Sequence, residues 1–285
     1  MKKFILLLLF TISATAQIKG VVRDSITKEP VAYAAIVYEN TEIGTNANEK
    51  GEFELTKHES NFIINVSCLG YKTKTHQISN SNDIYLTPKQ EVIQEVIISN
   101  RKNTSEITVG KYKNSSASYG SSKPGIIYAK YINYNSKVEN HPFVKKIQFT
   151  TRSMKKNAKL KLRFLSVNQN KELVGDIIFD EIIVTVKSGV HNNTVDLEKY
   201  NIVIPKEGIF IGFEILIIEE NKYEYIYTNQ GETVKHKAIS YEPSIMAYEA
   251  KETNVWSIRN NKLRLLTQGP YLKQEEIGLK LTLTN

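Results

Sequence analysis

Two short stretches near the N-terminus constrain the fold more than any other part of the chain. Residues 18–24 read Ile-Lys-Gly-Val-Val-Arg-Asp, and residues 48–55 read Asn-Glu-Lys-Gly-Glu-Phe-Glu-Leu. In both, apolar residues alternate or cluster and the run stops at turn-forming Gly, Asn or Asp. Gln17 to Leu86 is therefore predicted to be a β unit. Its expected strands are residues 17–23, 31–38, 42–47, 51–55, 61–68, 72–78 and 82–87.

This unit resembles a known family. The order Ile-x-Gly-x-Val-x-Asp, Pro-Val-x-x-Ala, Gly-x-x-x-Asn-x-x-Gly-x-Phe-x-Leu and then Ser-Cys-Leu-Gly-Tyr-Lys at residues 67–72 is similar to the carboxypeptidase-regulatory-like (CarboxypepD_reg-like) domain of Bacteroidetes envelope proteins. The resemblance implies a seven-stranded transthyretin-like or immunoglobulin-like sandwich without catalytic activity. It covers about 80 residues, and the C-terminal part of the chain resembles no family in the same way.

The first 16 residues have the pattern of a signal peptide. Lys2 and Lys3 are followed by an apolar run, residues 4–10, and by Ala-Thr-Ala at residues 14–16. No later run reaches the roughly 18 to 20 apolar residues of a membrane span. We therefore expect an exported mature chain without a transmembrane span, located in the periplasm or at the cell surface in association with the outer membrane.

Composition excludes several classes of protein. The single cysteine, Cys68, rules out an internal disulfide and is predicted to pack as a small apolar residue. Removal of Lys2 and Lys3 lowers the formal charge from +8 to +6, which is modest for this length and does not imply nucleic-acid binding.

The remaining chain is long enough for a second core. The domains are predicted as signal peptide (1–16), carboxypeptidase-regulatory-like sandwich (17–100), flexible Ser/Gly/Lys-rich linker (101–125) and a second β-sandwich (126–285). Residues 91–99 form one more extended run at the end of the first domain. Residues 159–164 and 279–283 alternate cleanly, and with runs near 177–186, 208–218 and 223–227 they indicate a jelly-roll-like sandwich.

The sequence lacks the motifs expected of metallopeptidases and serine hydrolases. No histidine precedes a glutamate by three residues, no His-Glu-x-x-His occurs and no Gly-x-Ser-x-Gly elbow is present. Asp176 and Asp180 share a strand face, but positions four apart lie about 13 Å from each other, too far for a carboxylate pair without a third partner. We therefore predict no catalytic residue, metal or cofactor, and keep a hydrolase as the least favoured alternative.

Two surfaces are candidates for binding. One strand face carries Tyr223, Tyr225 and Tyr227. If this face is exposed, its rings can stack against a sugar or pack against another protein; if it faces inward, they form part of the core. The charged residue Glu224 on the opposite face favours the core interpretation. Trp256 has the same two interpretations. A basic stretch is a candidate binding patch for an anionic partner. Lysines also prevent exposed strands from pairing edge to edge, and this second interpretation is the favoured one. Its residues are Lys145, Lys146, Arg152, Lys155, Lys156, Lys159, Lys161 and Arg163.

The function predicted from these patterns is a non-catalytic binding or scaffolding module of the cell envelope. What the family resemblance implies is an accessory role in surface nutrient uptake, with an envelope protein or a polysaccharide as partner. The alternative is a carbohydrate-binding protein that uses its C-terminal sandwich.

Overall fold

The computed structural model describes residues 17–58, 62–79, 81–89, 101–112, 117–178, 181–259, 262–267 and 274–285. The predicted signal peptide and the run at residues 91–99 lie outside these ranges. Among the described residues, 55% lie in strands and 5% in helices, which confirms the all-β class. Within the described ranges, no helix has both the length and the hydropathy needed to cross a membrane.

The N-terminal unit is a sandwich of seven strands, as predicted. The strands are β1 (Gln17–Asp24), β2 (Ala35–Tyr38), β3 (Gly44–Asn46), β4 (Glu52–Thr56), β5 (Ile63–Ser67), β6 (Lys74–Gln77) and β7 (Asp83–Leu86). One sheet has the order β4-β1-β7 and the other β3-β2-β5-β6. Alternating apolar residues of both sheets, such as Val22, Phe53 and Ile64, meet in one buried core.

A carboxylate holds the turn that follows β1. Asp24 accepts hydrogen bonds from the backbone amides of Ile26 (2.6 Å) and Thr27 (3.0 Å) and from the hydroxyl of Tyr71 (3.0 Å). The two amide bonds, with help from the hydroxyl, lower the pKa of Asp24 below its ordinary 3.8. Burial, followed by the bond to Asp24, raises the pKa of Tyr71 to about 12. The bond between Asp24 and Tyr71 thus joins the first part of the N-terminal motif, residues 18–24, to its last part, residues 67–72.

Replacing Asp24 by asparagine is expected to reduce the loss of stability at acidic pH. A carboxyl group whose pKa is lower in the folded state stabilises the fold above its unfolded pKa and loses this effect as the pH falls through the folded pKa. Urea unfolding between about pH 6 and pH 2 measures the effect. The difference between wild type and Asp24→Asn should shrink below pH 3.8, the ordinary value of the group. A difference that does not change with pH contradicts the role of the carboxylate.

The C-terminal unit is a second and larger sandwich. Its first strands are β8 (Glu106–Lys111), β9 (Ala117–Tyr119), β10 (Ile127–Ile132), β11 (Phe143–Ser153), β12 (Ala158–Val167), β13 (Leu173–Asp176), β14 (Ile182–Val186), β15 (Gly189–Asp196) and β16 (Ile209–Ile215). The later ones are β17 (Lys222–Tyr227), β18 (His236–Tyr241), β19 (Ser244–Glu249), β20 (Trp256–Arg259), β21 (Lys262–Leu265), β22 (Glu275–Ile277) and β23 (Leu279–Thr284). A short helix, α1 (Ser136–Asn140), is capped by the side chain of Asn135.

Two seven-stranded sheets enclose the core of this unit. The first, here called the docking sheet, has the order β13-β12-β16-β10-β20-β21 with β14 beside β12. The second has the order β22-β19-β11-β23-β8, with β15 beside β11 and β9 beside β19. Phe213 of the docking sheet and Phe149 of the second sheet lie in the shared core with ring centroids 4.9 Å apart. The predicted second sandwich is therefore present.

The segment predicted as a flexible linker contains two strands instead. β8 pairs with β23 from Glu106–Thr284 to Lys111–Leu279, and β9 pairs with β19. Ile107 and Val109 pack against the large core, while the alternate residues of β8 face solvent. The prediction failed because the polar composition of an edge strand resembles that of a linker, and because its partner strand lies far away in the sequence.

The N-terminal sandwich contacts the face of the docking sheet that points away from the large core. Tyr33 packs against Leu216 and Ile218, which are all buried. At another point of the contact, Glu42 forms ion pairs with Lys123 and Arg259. The two units are therefore joined by apolar and charged contacts as well as by the chain between them.

Candidate functional site

Exposed aromatic residues lie together on a two-stranded ribbon formed by β17 and β18, here called the tyrosine ribbon. Its strands pair only with each other among the described residues, so it belongs to neither large sheet. Cross-strand partners share a face in an antiparallel pair. Tyr223, Tyr225 and Tyr227 lie opposite Ser240, Ala238 and His236 on one face of the ribbon, here called the tyrosine face.

The rings of the tyrosine face stack along the ribbon. Tyr223 and Tyr225 lie nearly parallel (14°) with centroids 6.0 Å apart, and Tyr225 and Tyr227 follow at 6.1 Å. His236 continues the row, with its ring 5.4 Å from that of Tyr227. An isolated two-stranded hairpin is marginally stable in water, and such aromatic pairs add about 0.5–1.5 kcal/mol each. The stacked row therefore stabilises the ribbon itself.

Much of the ribbon surface nevertheless faces solvent. Tyr225 is 39% exposed and Tyr227 is 43% exposed, while Ile226 on the opposite face is 67% exposed. The favoured prediction that these tyrosines form core is therefore wrong for Tyr225 and Tyr227. The charge of Glu224 suggested that the tyrosines on the opposite face are buried. Both faces of the ribbon are in water, however, and the carboxylate of Glu224 pairs with Lys237 at 2.5 Å.

Charges surround the apolar parts of the ribbon. Near its tip, Glu232 accepts a hydrogen bond from Asn229 (3.1 Å) and lies 2.7 Å from the Nε2 atom of His236. An open depression is lined by Tyr223, Glu224, Tyr225, Ile226 and Lys237. The ribbon thus combines exposed rings with hydrogen-bonding groups, the combination that recognises amphipathic ligands.

Trp256 lies elsewhere, on β20 of the docking sheet. Its ring packs edge-on against Phe210 with centroids 5.3 Å apart, and its Nε1–H donates to Asn254 (3.2 Å). Trp256 and Phe210 belong to a small apolar cluster that is separate from the ribbon. The structure therefore does not combine Trp256 with the tyrosines in one site.

The predicted basic patch is divided between several surroundings. Lys145 pairs with Glu106 at 2.6 Å, and Lys155 donates to the backbone oxygen of Glu219. Arg152 and Lys156 are exposed and Lys146 is half-buried. Lys159 and Lys161 lie where the docking sheet meets Tyr33 of the N-terminal unit, and Arg163 follows them on the same strand, β12. The eight residues do not form one exposed face.

Lys161 and Arg163 instead belong to a buried charge cluster. Lys161, only 2% exposed, donates to Glu181 at 2.6 Å. Arg163 holds Asp176 through two bonds of 2.5 and 2.6 Å and Glu214 through one of 2.9 Å. Burial opposes the charge of Arg163, but both carboxylates outweigh it and raise its pKa. Burial likewise opposes the charge of Lys161. Its neighbours, Glu214 most strongly, outweigh this effect and raise the pKa of Lys161.

The sequence patterns did not predict this cluster, although one signal was present. Glu214 is a charged residue within the otherwise apolar strand β16, and such a residue needs a buried partner. Asp180, the second carboxylate of the predicted pair, lies outside the described residues. Asp176 itself is engaged by Arg163, so its carboxylate serves as an ion-pair partner.

Cys68 adjoins the same cluster. Its thiol lies 3.5 Å from a carboxylate oxygen of Glu181 and 3.6 Å from the backbone oxygen of Ala32. Burial raises the pKa of this thiol to about 12, so it stays protonated at neutral pH. Within the described part of the chain, no three His, Cys, Asp or Glu side chains come together in a way that holds a metal ion.

Comparisons with known proteins agree with the N-terminal architecture. The family model of the CarboxypepD_reg-like domain matches residues 18–98. The TonB-dependent receptor SusC of Bacteroides thetaiotaomicron is 32% identical over 91 residues, which are 31% of this chain and 9% of the receptor. The chain thus matches only a small part of that relative.

Solved structures give weaker similarities. A clostridial cysteine protease, Cwp84 after propeptide cleavage, aligns with 85% of this chain and 50% of its own at 12% identity and a TM-score of 0.39. The cysteine protease and lectin-like domains of Cwp84 from Clostridium difficile align with 85% of this chain and 45% of their own at 11% identity and a TM-score of 0.38.

The motif, the seven-stranded sandwich and the family match agree, and residues 18–98 are a CarboxypepD_reg-like domain.

Proposed function

We propose that this chain is an exported, non-catalytic binding or scaffolding module of the bacterial cell envelope, accessory to nutrient uptake at the cell surface. The CarboxypepD_reg-like domain and its similarity to a TonB-dependent receptor support the envelope setting. The partner is an envelope protein or polysaccharide that contacts the tyrosine ribbon.

The exposed ribbon is the observation that carries this proposal. It presents Tyr225 and Tyr227 on one face and Ile226 and Ile239 on the other, all of them exposed. Tyrosines are enriched in binding hot spots because they bury a large area while their hydroxyls keep hydrogen bonds. A two-stranded sheet with apolar residues on both faces gains stability when a partner covers it.

Changing Tyr225 and Tyr227 to alanine together is expected to weaken binding by at least about tenfold, because truncated hot-spot tyrosines each cost on the order of 2 kcal/mol. The measurement is cosedimentation of the mature chain, residues 17–285, with outer-membrane vesicles and, separately, with insoluble envelope polysaccharide from a bacterium of the Bacteroidetes.

Two control variants separate the ring surface from general effects. Tyr225→Phe with Tyr227→Phe keeps the stacked row and should retain most of the binding. Val190→Ala removes an apolar side chain, 58% exposed on β15, and should bind like the wild type. Binding that is absent in the wild type, or equally strong in the double alanine variant, overturns the proposal.

Carbohydrate binding is the second candidate, favoured by the exposed rings beside the open depression. A glycan-affinity gel tests it, with retardation of the wild-type chain expected and Tyr225→Ala reducing it. If no envelope or plant glycan retards the chain, this candidate fails and a protein partner is left. Assaying the same glycans for new reducing ends tests the proposed lack of hydrolase activity.

A further inference from the structure

We infer that the CarboxypepD_reg-like domain positions the tyrosine ribbon by clamping its root, residues 216–221, so that the two parts act as one rigid unit. The consequence for binding rests on the function proposed above, whereas the clamp itself is a mechanical property of the chain. Three sets of contacts, each between named atoms, lead from the N-terminal domain to the ribbon.

The first contact is made by Asn46 at the end of the edge strand β3. Its backbone N–H donates to the backbone oxygen of Ile217 (2.9 Å), and its side-chain oxygen accepts from the N–H of Ile217 (2.9 Å). Its side-chain amide also donates to the backbone oxygen of Tyr33 (3.2 Å). Asn46 thus pairs with Ile217 as a neighbouring strand would, and it is buried.

The second contact is the ring of Tyr33. This residue has a φ of +54°, a conformation that is unusual for a bulky side chain and persists only where the surroundings hold it. The buried ring packs on Leu216 and Ile218, on either side of Ile217. Its hydroxyl accepts a hydrogen bond from Lys159 (3.3 Å), and Lys159 also reaches Glu49 of the N-terminal domain (3.2 Å).

The third contact ties both ends of the ribbon to this root. Asn221 is fully buried directly before β17. Its side chain accepts from the N–H of Lys159 (2.7 Å) and donates to the backbone oxygens of Lys159 (2.7 Å) and Leu216 (2.8 Å). Its own backbone oxygen accepts from the N–H of Glu242, directly after β18 (2.9 Å). Asn221 therefore anchors both the start of β17 and the end of β18 to the root of the ribbon.

Such an arrangement makes the N-terminal domain a positioning element. Since an isolated hairpin has little stability of its own, its orientation depends on the residues from which it projects. A partner that holds the CarboxypepD_reg-like domain would present the tyrosine face in a fixed direction. Asn46 and Tyr33 are the positioning residues, because they contact the root of the ribbon and act on the ribbon only through it.

Hydrogen exchange of the mature chain, residues 17–285, tests the clamp without any ligand. In Asn46→Ala, the amides of residues 216–227 and 236–242 should exchange on the order of tenfold faster than in the wild type, because the N–H of Ile217 loses its acceptor. The matched control is Asn65→Ala in the same domain, where the side chain accepts only from Thr75 (2.8 Å) among its described bonds. That variant should leave ribbon exchange unchanged.

A milder variant keeps the test informative if Asn46→Ala does not fold. Thr45→Val keeps Asn46 and removes the Thr45 hydroxyl, which donates to the backbone oxygens of Ile217 (3.1 Å) and Asn46 (3.4 Å), and it should accelerate the same amides by a smaller factor. Unchanged ribbon exchange in a folded variant overturns the clamp, even if binding through Tyr225 and Tyr227 is found. Faster exchange without any binding supports the clamp and removes only the proposed function.

Discussion

Replacing Arg163 by alanine is expected to lower the free energy of unfolding by about 3–5 kcal/mol, because it leaves buried carboxylates without their partner. Arg163 donates to Asp176 and Glu214, whose side chains are mostly inaccessible to solvent. Lys161 stays near Glu214 but is engaged by Glu181. Urea unfolding followed by the fluorescence of Trp256, which lies in the same sheet, measures the loss.

Two comparisons show whether the loss comes from the buried charges. Arg152→Ala removes the same side chain from an exposed position on β11 and should change stability by no more than about 0.5 kcal/mol. Arg163→Met combined with Asp176→Asn and Glu214→Gln removes all three charges together and should cost less than Arg163→Ala. A loss below about 1 kcal/mol for Arg163→Ala would show that water replaces the missing guanidinium.

Replacing Phe213 by alanine should cost about 3–5 kcal/mol, because it opens a cavity between the two large sheets. Phe213 is fully buried on β16 and its ring packs against that of Phe149 on the opposite sheet. The surrounding strands pair on both sides and have little freedom to close the gap. Thermal and urea unfolding of the variant and of the wild type give the difference.

The matched control for this change lies on the ribbon. Ile226→Ala also removes a large apolar side chain, but from a position that is 67% exposed, and should change stability by about 0.5 kcal/mol or less. Equal losses for the two variants would contradict the assignment of the core to the space between the large sheets.

Local patterns were sufficient for the N-terminal domain. Its strands are short and pair within about 70 residues of sequence, and turn residues such as Asp24 and Gly51 lie at or next to their ends, so alternation and turn chemistry determined the sandwich. The same alternation identified β12 and β23 in the second half. It also placed Tyr223, Tyr225 and Tyr227 correctly on one face of a strand.

Alternation cannot show what lies beyond a face, and this limit explains the wrong predictions. Lys161 and Arg163 alternate with apolar residues as an exposed basic face would, yet both are engaged by three carboxylates, Glu181, Asp176 and Glu214. The tyrosines of β17 alternate as core would, yet their strand joins neither large sheet. β8 has the composition of a linker and is an edge strand.

The sequence by itself determined the all-β class, the CarboxypepD_reg-like domain and the residues that share each strand face. Only the tertiary structure decided which faces meet water, which charges are buried in pairs and which domain holds the root of the ribbon. The physical reason is that strand formation depends on neighbouring residues, whereas burial depends on contacts between residues distant in the chain, such as Asn46 and Ile217.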